Sequence, residues 1–473
     1  MRWNIKLALT AVWAAVGTCG YLIVPESAPF LLPLSVLAPL LWYPRKGLAA
    51  HLWGRSVLAR ILAVASAFLL INATWSTAPS LAYIGVATFF VASVVVHVVT
   101  ATMPFLDREP LRAMAIGFFA GYVISAFVIC IEVIFKHPFH LQAYVVFPAL
   151  VPQISGIVIE SGVVKSLPSW FLNRHIAALA FLVWPALLIA STLASSSRAR
   201  TVLVMCLAPV VLAVFASDHE SSKIAIAGSV AVFCIQLLTP RLGKTLLAAG
   251  WILACVAVVP LASIAYDQQL HKASWLQPSA QHRIVIWGVT SSKVAEAPLL
   301  GHGLVAARAL GRREAEHPTY APGSPFVAST GPHAHNVYLQ VWFDTGLVGI
   351  ILLVSIGLFA LRAISRAAAA SQPALFAAFA SGALLAASSF SIWTRWFLAS
   401  YAISAISAVL ASRFAATVRE DGSTAQPLVQ DATPYSTWPG TREQSGLNPE
   451  LSGSAPGAGV PAPASNDLYK PSS

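Results

Sequence analysis

Charged residues are scarce in this chain. Lys, Arg, Asp and Glu together make up 10% of its 473 residues, against about a quarter in soluble proteins. Acids are the scarcer half: 18 Asp and Glu face 29 Lys and Arg, for a net charge of +11. Apolar residues reach 57%, and the mean hydropathy is +0.73. A soluble fold has no interior large enough to hide that much apolar surface from water. The composition excludes that class and points to an all-α polytopic membrane protein. In such a protein a basic balance reflects first the positive-inside bias, so no nucleic-acid partner is expected.

Cysteine is also rare. The five cysteines, Cys19, Cys130, Cys206, Cys234 and Cys255, all fall in apolar runs without CxxC spacing. They read as buried small residues, and neither a disulfide framework nor a zinc site is supported. There is no HExxH pair. In "SDHESSK", Asp218, His219 and Glu220 are consecutive, so they do not share a face, and no metal site is expected. "GHGL" is too short for a phosphate loop and follows no strand. No cofactor is expected, and no internal repeat is visible.

What the chain has is long apolar runs. Windows of about 20 residues give about twelve spans, near 5–24, 28–43, 57–73, 81–103, 113–134, 175–195, 201–216, 224–239, 245–266, 337–361, 373–391 and 396–413. The first run follows Arg2 and Lys6 and is closed by Pro25 and Glu26. It lacks a cleavage region, so it reads as a first span rather than a signal peptide. Short basic loops recur with Arg45, Lys46, Arg55 and Arg60, then Arg108 and Arg112, Arg198 and Arg200, Arg241 and Lys244, and Arg362 and Arg366. By the positive-inside rule these are cytoplasmic, and an even span count then puts both termini on that side. Two long loops, at about 135–174 and 267–335, face outward; the second lies between spans 9 and 10. A loop that long is usually functional. The transmembrane domain is expected over 1–416. From Thr417 the sequence turns rich in Pro, Ser, Gly and Ala, and 417–473 reads as a disordered cytoplasmic tail.

The outward loops break the charge rule. They carry Lys136, Lys165, Arg174, Lys223, Lys272, Arg283, Lys293, Arg308, Arg312, Arg313 and Arg395. Long loops escape the rule, but Arg174, Lys223 and Arg395 sit at helix mouths. Guanidinium groups match phosphate oxygens, so an outer-leaflet lipid diphosphate would suit this face. Polar chemistry also gathers in "GPHAHNVYLQVWFDTGLVGI" (331–350). His335 and His333 precede an apolar helix, Asn336 is placed to cap it, and Asp344 lies inside it. On a continuous helix Asp344 is about 13.5 Å from His335 and about half a turn away. It therefore cannot orient that ring, and should pair with a cation or hydroxyl from another span. Leu339, Trp342, Gly346 and Gly349 share the stripe of His335, and the glycines suit close packing.

These pieces resemble the O-antigen ligase family, within the O-antigen ligase/polymerase superfamily. "QHRIVIWGVTSSKVAEAPLLGHGL" (281–304) is similar to the family's arginine-plus-tryptophan helix and its Pro-Leu-hydrophobic-Gly-x-Gly turn. "HAHNVYLQVWFDTGLVGI" is similar to its His-Asn-x-x-Leu and acid-x-Gly-x-x-Gly motif. "NATWSTAPS" resembles its early tryptophan-serine loop, and "FLNRHIAALAFLVWP" its Asn-Arg mouth. There are departures: Asp344 replaces the usual Glu, and "SDHESSK" replaces a Ser-Arg loop, where Lys223 could supply the cation.

The resemblance implies a GT-C-like glycosyltransferase of the bacterial inner membrane with a periplasmic site. It implies transfer of a glycan from undecaprenyl diphosphate to a sugar hydroxyl of lipid A–core, without metal or nucleotide. Arg174 and Arg283 match the family's arginines and His335 its histidine. They imply cations that stabilise the leaving diphosphate and a base that takes the acceptor proton. Lys223, Arg308, Arg312, Arg313, Arg395, His333 and Asn336 are further substrate-side candidates, with Asp344, Gly346 and Gly349 structural. A polymerase that uses a second lipid-linked glycan as acceptor shares these motifs. A transporter or flippase would put its ionisable groups near the midplane, whereas here they gather at the outer rims.

Overall fold

The computed structural model describes residues 5–35, 42, 57–151, 154 and 156–424. In chain order the helices are α1 (Ile5–Ile23), α2 (Ala28–Leu34), α3 (Val57–Asn72), α4 (Pro79–Thr102), α5 (Arg108–Ile134), α6 (Pro138–Val146), α7 (Asn173–Leu193) and α8 (Ser197–Met205). There follow α9 (Ala208–Ala216), α10 (Glu220–Leu238), α11 (Pro240–Asp267), α12 (Pro278–Val294), α13 (Ala306–Glu316), α14 (Val337–Ser365), α15 (Gln372–Ser388) and α16 (Arg395–Thr424). A two-stranded antiparallel hairpin, β1 (Val158–Glu160) and β2 (Val163–Ser166), lies between α6 and α7.

Eleven helical segments among the described residues are long and apolar enough to cross a membrane. They coincide with eleven of the expected spans; α8 and α9 together make one, broken near Cys206. The twelfth expected span, 28–43, is described only as the short α2 and Trp42. The basic residues Arg45, Lys46 and Arg55 lie outside the described residues, as does the tail from 425 on. The last helix runs on to Thr424, past the compositional boundary at Thr417, because helix propensity does not stop where hydropathy does. Cys130 and Cys255 are buried as expected, but Cys234 is exposed on α10.

Helix α7 is apolar on every face, and such a helix belongs in the interior. It packs against α5, α10, α15 and α16. Because lipid is as apolar as a leucine, association relies on close packing and interhelical hydrogen bonds, each worth about 0.6 kcal/mol. The Tyr122 hydroxyl donates to the Leu179 carbonyl, the Trp184 indole to Ser229 Oγ, and the Ser381 hydroxyl to the Ala180 carbonyl. Gly117 and Gly121 of α5 let α1 come into backbone contact: a Cβ at Gly117 would sit 2.0 Å from the Ala11 carbonyl oxygen.

Candidate functional site

The stretch from Gly331 to Ile350 is a junction built in two halves. In the first, Asn336 caps α14, its Oδ1 accepting from the Leu339 amide at 3.1 Å, as expected from the sequence. His335 just before it has φ 52°, a left-handed conformation uncommon outside glycine. His335 Nδ1 lies 3.0 Å from the Ser389 carbonyl oxygen at the end of α15. The His333 ring packs against it, centroids 3.9 Å apart, and His333 Nδ1 accepts the His335 amide.

In the second half, α14 breaks. Gly346 has φ 60° and ψ −157°. In an unbroken helix the amides of Leu347 and Val348 would bond the carbonyls of Phe343 and Asp344. Instead they donate to Pro298 and Leu299, and the freed carbonyls accept from the amides of His302 and Gly303. The "PLLGHG" turn is thus inserted into the helix, with four bonds in place of two. Every glycine there is required by space: a Cβ at Gly346 would sit 2.5 Å from the Leu299 carbonyl, and one at Gly301 2.4 Å from the Asp344 carbonyl carbon. Gly346 was expected to serve packing on a continuous helix; it serves a break, because the inserted turn supplies the missing partners. Gly349 lies buried just beyond it.

The "NATWS" segment closes the same joint. Asn72 Nδ2 donates to the carbonyls of Leu300 and Asp344, the Trp75 indole to Gly301, and Ser76 Oγ to Leu304. Asp344 is fully buried and accepts the Trp393 indole at 2.6 Å. This donor is an indole and not the cation or hydroxyl expected, since a neutral donor satisfies a carboxylate without importing a second charge.

This joint fixes α12 and α13 against the mouth of α14. Trp287, one turn after Arg283 on α12, donates its indole to the Ala334 carbonyl at 2.8 Å. Glu314 of α13 accepts the amide and hydroxyl of Thr330 and reaches Lys293 at 3.6 Å. The positive charge of Arg283 reaches His219, His333 and His335 alike, and Arg308 reaches His333. Burial lowers the Arg283 pKa, yet a guanidinium stays protonated. Burial, then the Arg283 charge, pushes His335 down to about 4, with the Ser389 carbonyl opposing. Burial, then His335, Arg283 and Arg308, pushes His333 down to about 3. Both rings are neutral near pH 7. A carbonyl can only accept, so His335 carries its proton on Nδ1 and presents Nε2 with a free lone pair.

Residues 202–354 match the O-antigen ligase family. The matched segment runs from α8 into α14 and contains Arg283, the inserted turn, His333, His335, Asn336, Asp344, Gly346 and Gly349. A Rickettsia conorii protein named "putative polysaccharide ligase" is 25% identical to this chain over 237 residues, covering 50% of this chain and 56% of its own length. A Rickettsia felis protein of the same name is 24% identical over 233 residues, with 49% and 56% coverage. The chain thus spans about half the length of these relatives.

Other sequence candidates are already paired or stand exposed. Arg174 forms an ion pair with Glu26, both about half exposed. Lys223 pairs with Glu220 at 2.8 Å in its own helical turn. Arg308, Arg312 and Arg313 are exposed on α13, and Arg395 is exposed at the start of α16. Sequence reading missed Trp287, Trp393, Ser389 and His219 as site-building residues. The two tryptophans had a signal, an indole donor amid apolar neighbours; a backbone carbonyl such as that of Ser389 has none.

Proposed function

We propose that this protein transfers a glycan from a polyprenyl diphosphate in the outer leaflet of the bacterial inner membrane to a sugar hydroxyl of lipid A–core. The observation that carries the reading is a neutral histidine, His335, whose Nδ1 is held by the Ser389 carbonyl so that Nε2 is free, within the field of the Arg283 charge. The ligase-family match over the same residues supports the reaction class.

In the reaction the acceptor oxygen attacks the anomeric carbon while the bond to the diphosphate breaks. His335 Nε2 takes the hydroxyl proton. Charge developing on the diphosphate is met by Arg283 and, at the outer rim, by Arg174. Glu26 holds Arg174 only through an exposed pair worth at most about 1 kcal/mol, so a diphosphate can displace it. Arg308, Arg312, Arg313 and Arg395 are exposed, and in this reading they and Lys223 would attract anionic substrate groups. The substrate itself tunes the base. An arriving diphosphate offsets the Arg283 field, and nearby negative charge raises a histidine pKa, so His335 becomes a better base once the donor is bound.

Deleting the gene and resolving the lipopolysaccharide on a gel tests the reading. Bare lipid A–core with long glycan left on the carrier is expected. Core bearing a single repeat would instead mark a polymerase, and unchanged lipopolysaccharide would overturn both. His335→Ala and Arg283→Ala should abolish transfer while the protein still inserts.

A further inference from the structure

The Ser389 carbonyl that fixes the His335 tautomer is not part of any helix ladder. Ser389 follows the last residue of α15 with φ −114° and ψ −105°, so its orientation must be held from outside. Two contacts from the start of α10 and the residue before it do so. Ser221 Oγ donates to the Ser388 carbonyl at 2.7 Å, and His219 Nε2 meets Ser389 Oγ at 3.4 Å. His219 is itself well anchored. It is buried, its Nδ1 lies 2.7 Å from Ser222 Oγ, its amide donates to Ser217 Oγ, and its ring lies against Phe390.

We propose that His219 is a positioning residue for His335: it holds Ser389 so that the Ser389 carbonyl keeps the base with its proton on Nδ1 and its lone pair on Nε2. The proposal rests on the reading of His335 as the base. Orienting a histidine through its second nitrogen is how its proton-accepting atom is chosen. Histidine suits this bridge because its two nitrogens reach two hydroxyls, Ser222 and Ser389, on opposite sides of one ring. It also stays uncharged beside Arg283: burial, then the Arg283 charge, pushes it down to about 3. The titratable and charged groups around His335 are Arg283, His282 and His333, with Arg308 acting on His333. His219 adds a neutral hydrogen-bonding partner to that field and no competing cation.

The test uses the purified full chain in lipid with a polyprenyl-diphosphate glycan donor and a lipid A–core acceptor. It compares His219→Ala, His219→Gln, His219→Asn, Ser389→Ala and His335→Ala. Glutamine places its amide where Nε2 was, whereas asparagine reproduces the nearer Nδ1. His219→Ala is expected to lower kcat by about 10- to 100-fold, the scale of a misplaced catalytic group, with donor KM unchanged. The acid limb of its pH profile moves to lower pH, because the Ser389 bond that raises the His335 pKa is loosened. His219→Gln recovers most of kcat, and His219→Asn does not. Ser389→Ala follows His219→Ala, which keeps the test usable if a His219 variant fails to fold. Equal losses in the Gln and Asn variants with an unmoved pH profile would mean packing only and overturn the proposal. Wild-type kcat in Ser389→Ala would do the same. An active His335→Ala would overturn the base reading as well. An inactive His335→Ala beside a fully active His219→Ala would overturn this proposal alone.

Discussion

The indole of Trp287 donates to the carbonyl of Ala334, 2.8 Å away and 47 positions along the chain. Ala334 precedes His335, and Trp287 lies one helical turn after Arg283, so this bond sets the spacing between cation and histidine. Trp287→Phe keeps the ring and removes the donor. It should cost about 1 kcal/mol of stability and about tenfold in kcat, measured by thermal unfolding in detergent and by glycan transfer.

Asp344 and Trp393 form a buried acceptor–donor pair. Asp344→Ala leaves the indole without a partner, a loss of about 1–3 kcal/mol. Asp344→Asn keeps an acceptor oxygen and should retain most of the melting temperature. Wild-type stability in the Ala variant would rule out this role for the carboxylate.

Gly346 accepts no side chain. Gly346→Ala meets the Leu299 carbonyl at 2.5 Å and sits at φ 60°, so it should insert poorly or lose activity wholly. Gly17, whose added Cβ meets nothing within 4 Å, should tolerate alanine in the same expression assay.

Glu26 pairs with Arg174, and under the proposed reaction it would compete with substrate phosphate for that guanidinium. Glu26→Gln should lower the donor KM severalfold while kcat changes little. Arg174→Ala should lower kcat. Steady-state kinetics at fixed ionic strength separates the two.

Stability should fall in acid. His219, His333 and His335 have folded pKa values of about 3, 3 and 4, below the unfolded value of about 6.5. Depressed values favour the neutral form in the fold. Their contribution is complete above pH ~6.5 and is lost progressively as pH falls through the folded values of about 4 and 3, a range in which the unfolded chain binds more protons. The melting temperature should therefore drop between pH 6.5 and 4, and His333→Asn should flatten that slope.

The sequence by itself determined the class and the candidates. An apolar run long enough to span needs only its own residues to satisfy its backbone, which is why eleven spans were legible along the chain. The cap at Asn336 is equally local, a side chain meeting an amide three residues on. The glycines of "PLLGHGL" and "DTGLVG" were visible as signals, but their purpose was not. A broken helix reads like a whole one until the turn that fills the break is known. Only the tertiary structure decided that Asn72, the 298–304 turn and Asp344 form one joint. It also decided that Arg174 and Lys223 are held by acids, and that a serine carbonyl 54 positions away selects the free nitrogen of His335. These relationships depend on backbone groups and on distance through space, and residue identity along a chain encodes neither.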